Sequence, residues 1–375
     1  MADSKGKGLE GVVAARTSIS DIDGQQGKLF YAGYDIADLA EHATFEETVF
    51  LLHHLALPTR RQLDEENAFL RSEQRLDPFL VRLISALGGD NNPMTVLRTV
   101  VSAAASLDAE VDDESSEANL RKAYKLVALT PQIVAAFHRM RTGADAVEPR
   151  EDLSLAGNFL YALTGKEPDD QLARDFDICL VLYADHTMNA STFAGRVSAA
   201  TLADIYAAVT AAIATLQGPL HGGAIEQVRY MLDQIGAPDR AAGYVRDRLA
   251  AKRKVMGFGH RVYKTWDPRA RILREMSRRL GDRLGDTHWY EISDQIQLTV
   301  QEEKGLYPNV DFYTASVYSA LGIPPDLYTT LFATSRMAGW TAHIREQYAD
   351  NRLIRPDSEY IGPAPRKYEP IDSRG

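Results

Sequence analysis

Residues Val12–Tyr34, VVAARTSISDIDGQQGKLFYAGY, alternate β-branched with polar side chains and break at Gly24 and Gly27. The pattern predicts a small β-hairpin, because strand side chains repeat every second residue and glycine favours the turn between strands. It is the only persuasive strand signal in 375 residues, and its isolation decides the fold class. Downstream, Ile36–Leu57, Arg61–Leu87, Val96–Leu107 and Leu120–Met140 place apolar residues at helical spacing with turn chemistry between them. Pro58 and Pro131 are expected near helix starts. Gly88-Gly89-Asp90-Asn91-Asn92-Pro93 stops one helix before another begins near Met94. The alanine-rich stretch from Thr201 to Leu216 suits a buried helix that its neighbours approach closely. The fold is therefore expected to be all-α with a small N-terminal β-hairpin.

Working outward, the acidic stretch from Asp108 to Glu117 reads as a solvated loop or frayed helix start, since like charges repel. The proline-rich Ile361–Pro370 cannot sustain a helix and is expected to form an extended arm, suited to embracing a partner subunit. No repeat of 20 to 50 residues is present, so the helices should pack as a globule rather than a solenoid. Composition agrees: 45% hydrophobic and 25% charged residues exclude disorder. At about 150 residues per domain, the length suits one large and one smaller domain.

The formal net charge of −10 argues against whole-surface attraction to nucleic acid or anionic lipid. Cys179 is the only cysteine and cannot form an internal disulfide, and the start MADSKGKGLEG lacks an apolar leader. No run of about 18 apolar residues occurs without a charge. A soluble cytoplasmic protein is expected, with neither membrane nor nucleic-acid partner.

Four segments carry residue types suited to chemistry. In Gln217-Gly-Pro-Leu-His221-Gly-Gly-Ala224, glycines let a backbone approach a ligand. The following helix start offers a positive dipole end that favours a neutral imidazole at His221. A histidine that merely caps a helix after a flexible loop would look the same. In Val255-Met-Gly-Phe-Gly-His260-Arg-Val-Tyr-Lys264-Thr-Trp-Asp-Pro-Arg269, a histidine after spaced glycines is followed by three cations. From Arg246 to Arg283 there are 13 Lys or Arg and four Asp or Glu, a local +9 in a chain of −10, which concentrates field on an acidic ligand. A solvated basic helix face over Arg271–Arg283 accounts for part of that excess. In Tyr307-Pro-Asn-Val-Asp311-Phe-Tyr-Thr314, a carboxylate among aromatic and β-branched residues reads as a general base raised by desolvation, or as a helix N-cap, the commoner role for such an aspartate. In Ala184-Asp-His186-Thr-Met-Asn-Ala-Ser-Thr192, His186 ends an apolar run and either projects into a cavity or sits satisfied in the core.

Other chemistries fit less well. His186, His221, His260 and Asp311 are separated by 35, 39 and 51 residues. No two share a helix turn as zinc ligands commonly do, so no metal is expected. The Gly-x-Gly before His260 lacks a preceding strand, the third glycine and the later acidic residue of a dinucleotide fingerprint. No Gly-x-Ser-x-Gly occurs, and Cys179 lies in an apolar run that would bury it and raise its pKa. Acid/base chemistry on an anion remains.

Taken together and in this order, ADHTMNAST, GPLHGGA, GFGHRVYKTWDPR and PNVDFYTASVY resemble the citrate synthase family. GKLFYAGYDIADLA, NPMTVLRTVVS and NRLIRPDSEYIGP are similar to further family stretches, so the likeness spans most of the chain. It resembles the compact bacterial and archaeal form, without an extra N-terminal domain. One departure is Asn92, where many members carry histidine before Pro-Met; no catalytic consequence attaches to it.

The resemblance implies an acyltransferase of the Si type, serving the tricarboxylic acid cycle and condensing acetyl-CoA with oxaloacetate. His221 would hydrogen-bond the thioester carbonyl while Asp311 removes a methyl proton. His260 would polarise the oxaloacetate carbonyl, and hydrolysis of citryl-CoA would release citrate and CoA. His186, Arg269 and Arg336 would bind oxaloacetate, whose carboxylates suit planar guanidinium groups. Arg355 would be donated across a homodimer interface, and Lys264 with Arg261 would meet CoA phosphates. No cofactor is implied, because acetyl-CoA is a substrate. The architecture implied is a large helical domain of residues 1–217 and 324–375 and a small one of residues 218–323. Closure would hinge near Leu216-Gln217-Gly218 and Leu321–Pro325.

The nearest alternative is 2-methylcitrate synthase, which uses propionyl-CoA with the same catalytic residues. One methylene changes discrimination by only about 1–3 kcal/mol, and these motifs do not separate the two. A non-catalytic acyl-CoA-binding scaffold would be marked by loss of a catalytic group, whereas His221, His260 and Asp311 are all present.

Overall fold

The computed structural model describes residues 7–9, 11–260 and 262–374, and these are mostly helical. The sheet is antiparallel and has three short strands, Ser20–Asp23, Lys28–Tyr31 and Tyr34–Asp35, paired in chain order. Ser20 pairs with Tyr31, Asp23 with Lys28 and Phe30 with Asp35. The expected hairpin is thus corrected at both ends. Residues 12–17 are irregular, with Val12 and Val13 exposed, because strand propensity is worth little without a partner strand. A third short strand also follows the hairpin. The turn between the first two strands packs on the segment after His260. The Lys264 N–H donates to Gly24 O (2.9 Å), and a Cβ on Gly24 would collide with the carbonyl of Val262.

Helix breaks are finer than apolar periodicity alone indicates. Ile36–Leu57 divides into Ile36–His42 and Phe45–His54 because Thr44 and Glu47 form a reciprocal capping box. Arg61–Leu87 likewise divides into Arg60–Ser72 and Pro78–Leu87, with Asp77 capping the second. Asn92 caps Pro93–Ala104 by accepting from the Met94 N–H (2.9 Å). Pro131 corrects the expectation of a helix start: it lies inside Ser116–Arg141. An internal proline costs a helix about 3 kcal/mol, and burial of residues 130–137 on every side of this helix outweighs that cost. The acidic loop is solvated only in part. Lys122, itself buried, donates to the carbonyl of Asp113 (2.7 Å), and the Tyr206 hydroxyl donates to Asp108 (2.6 Å).

The core centres on Tyr328–Ala349, whose residues 328–344 are all buried. It packs against Ser116–Arg141, Asp170–Tyr183, Ala190–Ala199 and Ile205–Leu216. At Gly339 the helix backbone meets the turn after Tyr183: the Gly339 N–H donates to Ala184 O (3.1 Å), and a Cβ there would collide with that carbonyl and with Asp185. In the later part of the chain, Pro238–Ala250 packs on His288–Lys304, and Pro268–Leu284 on Val310–Ala320. Residues 351–370 form neither helix nor strand and are almost all exposed, in keeping with the arm expected over Ile361–Pro370. Among the described residues, no helix is long and apolar enough to cross a membrane.

Candidate active site

Helix Asp170–Tyr183 delivers the first histidine. Where it ends, Asp185 is buried and accepts from the Thr187 N–H (3.0 Å) and the Ser20 hydroxyl, while its own N–H donates to the Tyr31 hydroxyl (3.1 Å). Sheet and helix end are thereby locked together, and His186 is fixed between them. Its Nε2 is enclosed and has no protein partner. Burial holds this imidazole well below its usual pKa, and Arg269, His260, Arg336 and His221 all push the same way. All four therefore bear electrostatically on His186.

The His221 loop is closed by hydrogen bonds from the His221 N–H to Gly218 O (2.9 Å) and from the Gly222 N–H to Leu216 O (2.9 Å). Its Nε2 accepts from the Ser191 N–H (3.4 Å) and lies 2.8 Å from the Ser191 hydroxyl, which in turn accepts from Trp340 Nε1 (3.1 Å). A backbone N–H can only donate, so these bonds assign the neutral ring its proton at Nδ1. The pKa is lowered to about 4, chiefly by burial and then by Arg336. The sequence reading attributed this to a helix end.

His260 is the complementary case. Its Nδ1 accepts from the N–H groups of Val262 (3.0 Å) and Tyr263 (3.2 Å), which leaves the proton at Nε2. Burial, then Arg269, lowers its pKa to about 4. Its ring stands 5.3 Å from that of His186. Arg269, in the first turn of Pro268–Leu284, is gripped along one edge by Asp267, Nε to Oδ1 at 3.0 Å and Nη2 to Oδ2 at 2.8 Å. Burial opposes this charge, but Asp267 more than compensates and raises the guanidinium pKa. Oδ2 of Asp267 also accepts from the Val310 N–H (3.2 Å), joining the His260–Arg269 segment to the helix that carries Asp311.

Asp311 is in the first turn of Val310–Ala320, and the N-cap is Asn309, so the capping alternative for Asp311 falls away. Its Oδ1 accepts from the Tyr183 hydroxyl (3.0 Å). Burial raises its pKa to about 6 despite the Tyr183 bond and the pull of Arg269. Arg336 is buried, donates through Nε to Tyr183 O (2.8 Å) and lies 4.8 Å over the Phe332 ring, which also faces His221 and Tyr183.

Six of the sequence candidates, His186, His221, His260, Arg269, Asp311 and Arg336, thus form one cluster of a half-buried base, three neutral imidazoles and two guanidinium groups. Arg355 is outside it, on the exposed arm, 75% exposed and paired with Asp357 (3.2 Å). Lys264 is exposed on the segment next to the sheet turn, and Arg261 lies outside the described residues. Much of the basic excess has a structural use: Arg246 pairs with Glu303, Arg274 with Asp294, Arg279 with Asp175 and Arg283 with Asp169. Sequence reasoning missed Ser191, Tyr183 and Asp267, which orient the cluster. The Asp-Pro-Arg capping pattern is the one signal that could have indicated Asp267.

Comparison with known proteins accords with this geometry. Residues 8–357 match the family described as citrate synthase, C-terminal domain. The chain is 51% identical to citrate synthase 2 of Bacillus subtilis over 98% of this chain and 99% of the relative. It superposes on the crystal structure of citrate synthase from Pyrobaculum aerophilum with a TM-score of 0.93 at 41% identity, covering 98% of this chain and 95% of the other. A ternary complex of carboxymethyl coenzyme A and oxaloacetate with citrate synthase from Thermoplasma acidophilum matches with a TM-score of 0.92 at 34% identity, covering 98% and 99%. With family, fold and full length in agreement around one acid/base cluster, the chain belongs to the citrate synthase family.

Proposed function

We infer that the chain condenses acetyl-CoA with oxaloacetate and water to give citrate and CoA, the reaction that feeds the tricarboxylic acid cycle. The observation that carries this reading is Asp311: a half-buried carboxylate with a pKa of about 6, in one cluster with two neutral imidazoles whose protonated nitrogens are fixed by opposite hydrogen-bond patterns. A base of that strength is mostly ionised at neutral pH yet strong enough to assist removal of a proton next to a thioester carbonyl.

Asp311 takes a methyl proton from acetyl-CoA as His221 Nδ1–H donates to the thioester oxygen, giving an enol equivalent. That carbon attacks the oxaloacetate carbonyl, polarised by His260 Nε2–H, which passes its proton to the new alkoxide. Water then cleaves citryl-CoA, and CoA leaves as the thiol. His186, Arg269 and Arg336 bind oxaloacetate, and Lys264 and Arg261 meet the CoA phosphates. CoA enters as part of a substrate, so the condensation uses no separate cofactor. The complex with oxaloacetate and a CoA analogue in the Thermoplasma relative supports this pairing of ligands.

Residues 218–323 act as a small domain that closes on residues 1–217 and 324–375. His186 and Arg336 come from the large part, whereas His221, His260, Arg269 and Asp311 come from the small one. Closure excludes water from an enol that solvent would otherwise reprotonate. A second copy supplies Arg355. Exposure of Leu353, Tyr360, Ile361 and Tyr368 along the arm supports its being covered in a homodimer. A single buried cysteine fits the reducing cytoplasm.

The test is release of CoA thiol by purified protein with oxaloacetate, comparing kcat/KM for acetyl-CoA and propionyl-CoA. A clear acetyl preference is expected. A clear propionyl preference would move the assignment to 2-methylcitrate synthesis, and no release with either donor would overturn the enzymatic reading.

A further inference from the structure

Tyr263 is three residues beyond His260, and the chemistry above gives it no role. The side chain is 4% exposed, and its hydroxyl is enclosed without a hydrogen-bond partner. Native proteins keep few such groups, because an unpaired buried hydroxyl forfeits its bonds to water. The ring is set against two imidazoles: its centroid is 4.7 Å from that of His260 at 45° and 5.8 Å from that of His186 at 67°. Its backbone N–H donates to His260 Nδ1, so the turn that sets the His260 proton also sets this ring. The neighbouring His186 Nε2 is enclosed and unpaired in the same way. Arg269 and Asp267 are the charged groups that bear on the hydroxyl, and Asp267 is already engaged with Arg269 and the Val310 N–H.

A phenol can donate a proton where a third cation would overcharge the cluster. Two unpaired polar atoms on adjacent rings, beside a buried guanidinium, call for an oxygen-rich anion. We propose that Tyr263 is a substrate-binding residue whose hydroxyl donates a hydrogen bond to the oxo dicarboxylate held between His186, His260 and Arg269. This rests on the reading that oxaloacetate occupies the cluster. The bond is made to the bound acid and persists through reaction, so its loss weakens binding more than turnover.

Tyr263→Phe removes the hydroxyl and keeps the ring. Steady-state kinetics beside the wild type should show KM for oxaloacetate raised roughly tenfold or more, with kcat and KM for acetyl-CoA each within about twofold. The melting temperature of the ligand-free variant should equal or exceed that of the wild type, since no protein bond is lost. The rise in melting temperature produced by oxaloacetate should shrink. Unchanged oxaloacetate KM in a variant beside an active wild type would overturn the proposal. So would a fall in kcat at constant KM, which would make Tyr263 a positioning residue for His260, or a loss of ligand-free stability, which would make it structural. A wild type with neither oxaloacetate-dependent turnover nor oxaloacetate-dependent stabilisation would overturn the underlying reading along with this one.

Discussion

Asp311 illustrates how a single carboxyl trades stability for reactivity. Burial lifts its pKa from 3.8 to about 6, so between those values the folded chain binds a proton that the unfolded chain has released. Stability contributed by this group is therefore present at low pH and declines as pH rises through about 6. Asp311→Asn removes that penalty and is expected to raise stability at pH 7, by at most about 3 kcal/mol. The same change should lower kcat about 10²–10⁴-fold, while oxaloacetate still stabilises the protein through the anion-binding groups. Denaturant unfolding at pH 5 and pH 8 beside turnover would check both signs; near-normal kcat would remove Asp311 as the base. In the wild type, kcat/KM should rise with pH through about 6, because His221 and His260 are already neutral above about 4. Asp311 was legible as a candidate from its aromatic setting. Its orienting partner Tyr183 was not, because that contact spans 128 residues and only folding creates it.

Elements were legible where local chemistry sets them. Asn92 before Pro93 foretold a helix start, and the Ile361–Pro370 arm followed from its prolines. Division of Ile36–Leu57 at Thr44 was also written locally, in the Thr44 and Glu47 pair, but was obscured by continuous apolar spacing. Pro131 misled because burial from other helices overrides a local cost. The connections between the two proposed domains belong to this scale. Helix Ile205–Leu216 ends at Gln217, whose amide is held by Arg98 (3.0 Å) and Thr95 (3.3 Å). The return connection passes Gly322, at φ 72°, before Pro324 and Pro325. Two bonds cross the seam next to the reacting groups, Ser191 to His221 and Tyr183 to Asp311, so a rotation of residues 218–323 would make and break the contacts that orient acid and base. Crystal structures with and without oxaloacetate should differ by a rigid rotation of that segment, with dihedral changes confined to residues 216–218 and 321–325. Superposition of the two without rotation would refute the hinge.

At the scale of the whole molecule, one chain assembles six of the candidate groups and leaves Arg355 in solvent. Composition suggested a partner for the arm, but a contact between copies leaves no periodic trace in either. The proposed homodimer makes a quantitative demand. In a C2 pair each site would combine Asp311 of one copy with Arg355 of the other. Asp311→Asn and Arg355→Ala chains should each be nearly inactive alone, the first for want of a base and the second through weakened oxaloacetate binding. Mixed at equal concentrations and allowed to exchange, half the dimers become mixed. Each mixed dimer then holds one site with both defects and one with none, so about a quarter of wild-type activity should return. Recovery of that size, after subunit exchange is verified by native mass spectrometry, would require the shared site. No recovery despite verified exchange would mean that Arg355 serves its own chain or none, and that the arm covers a surface without completing a site.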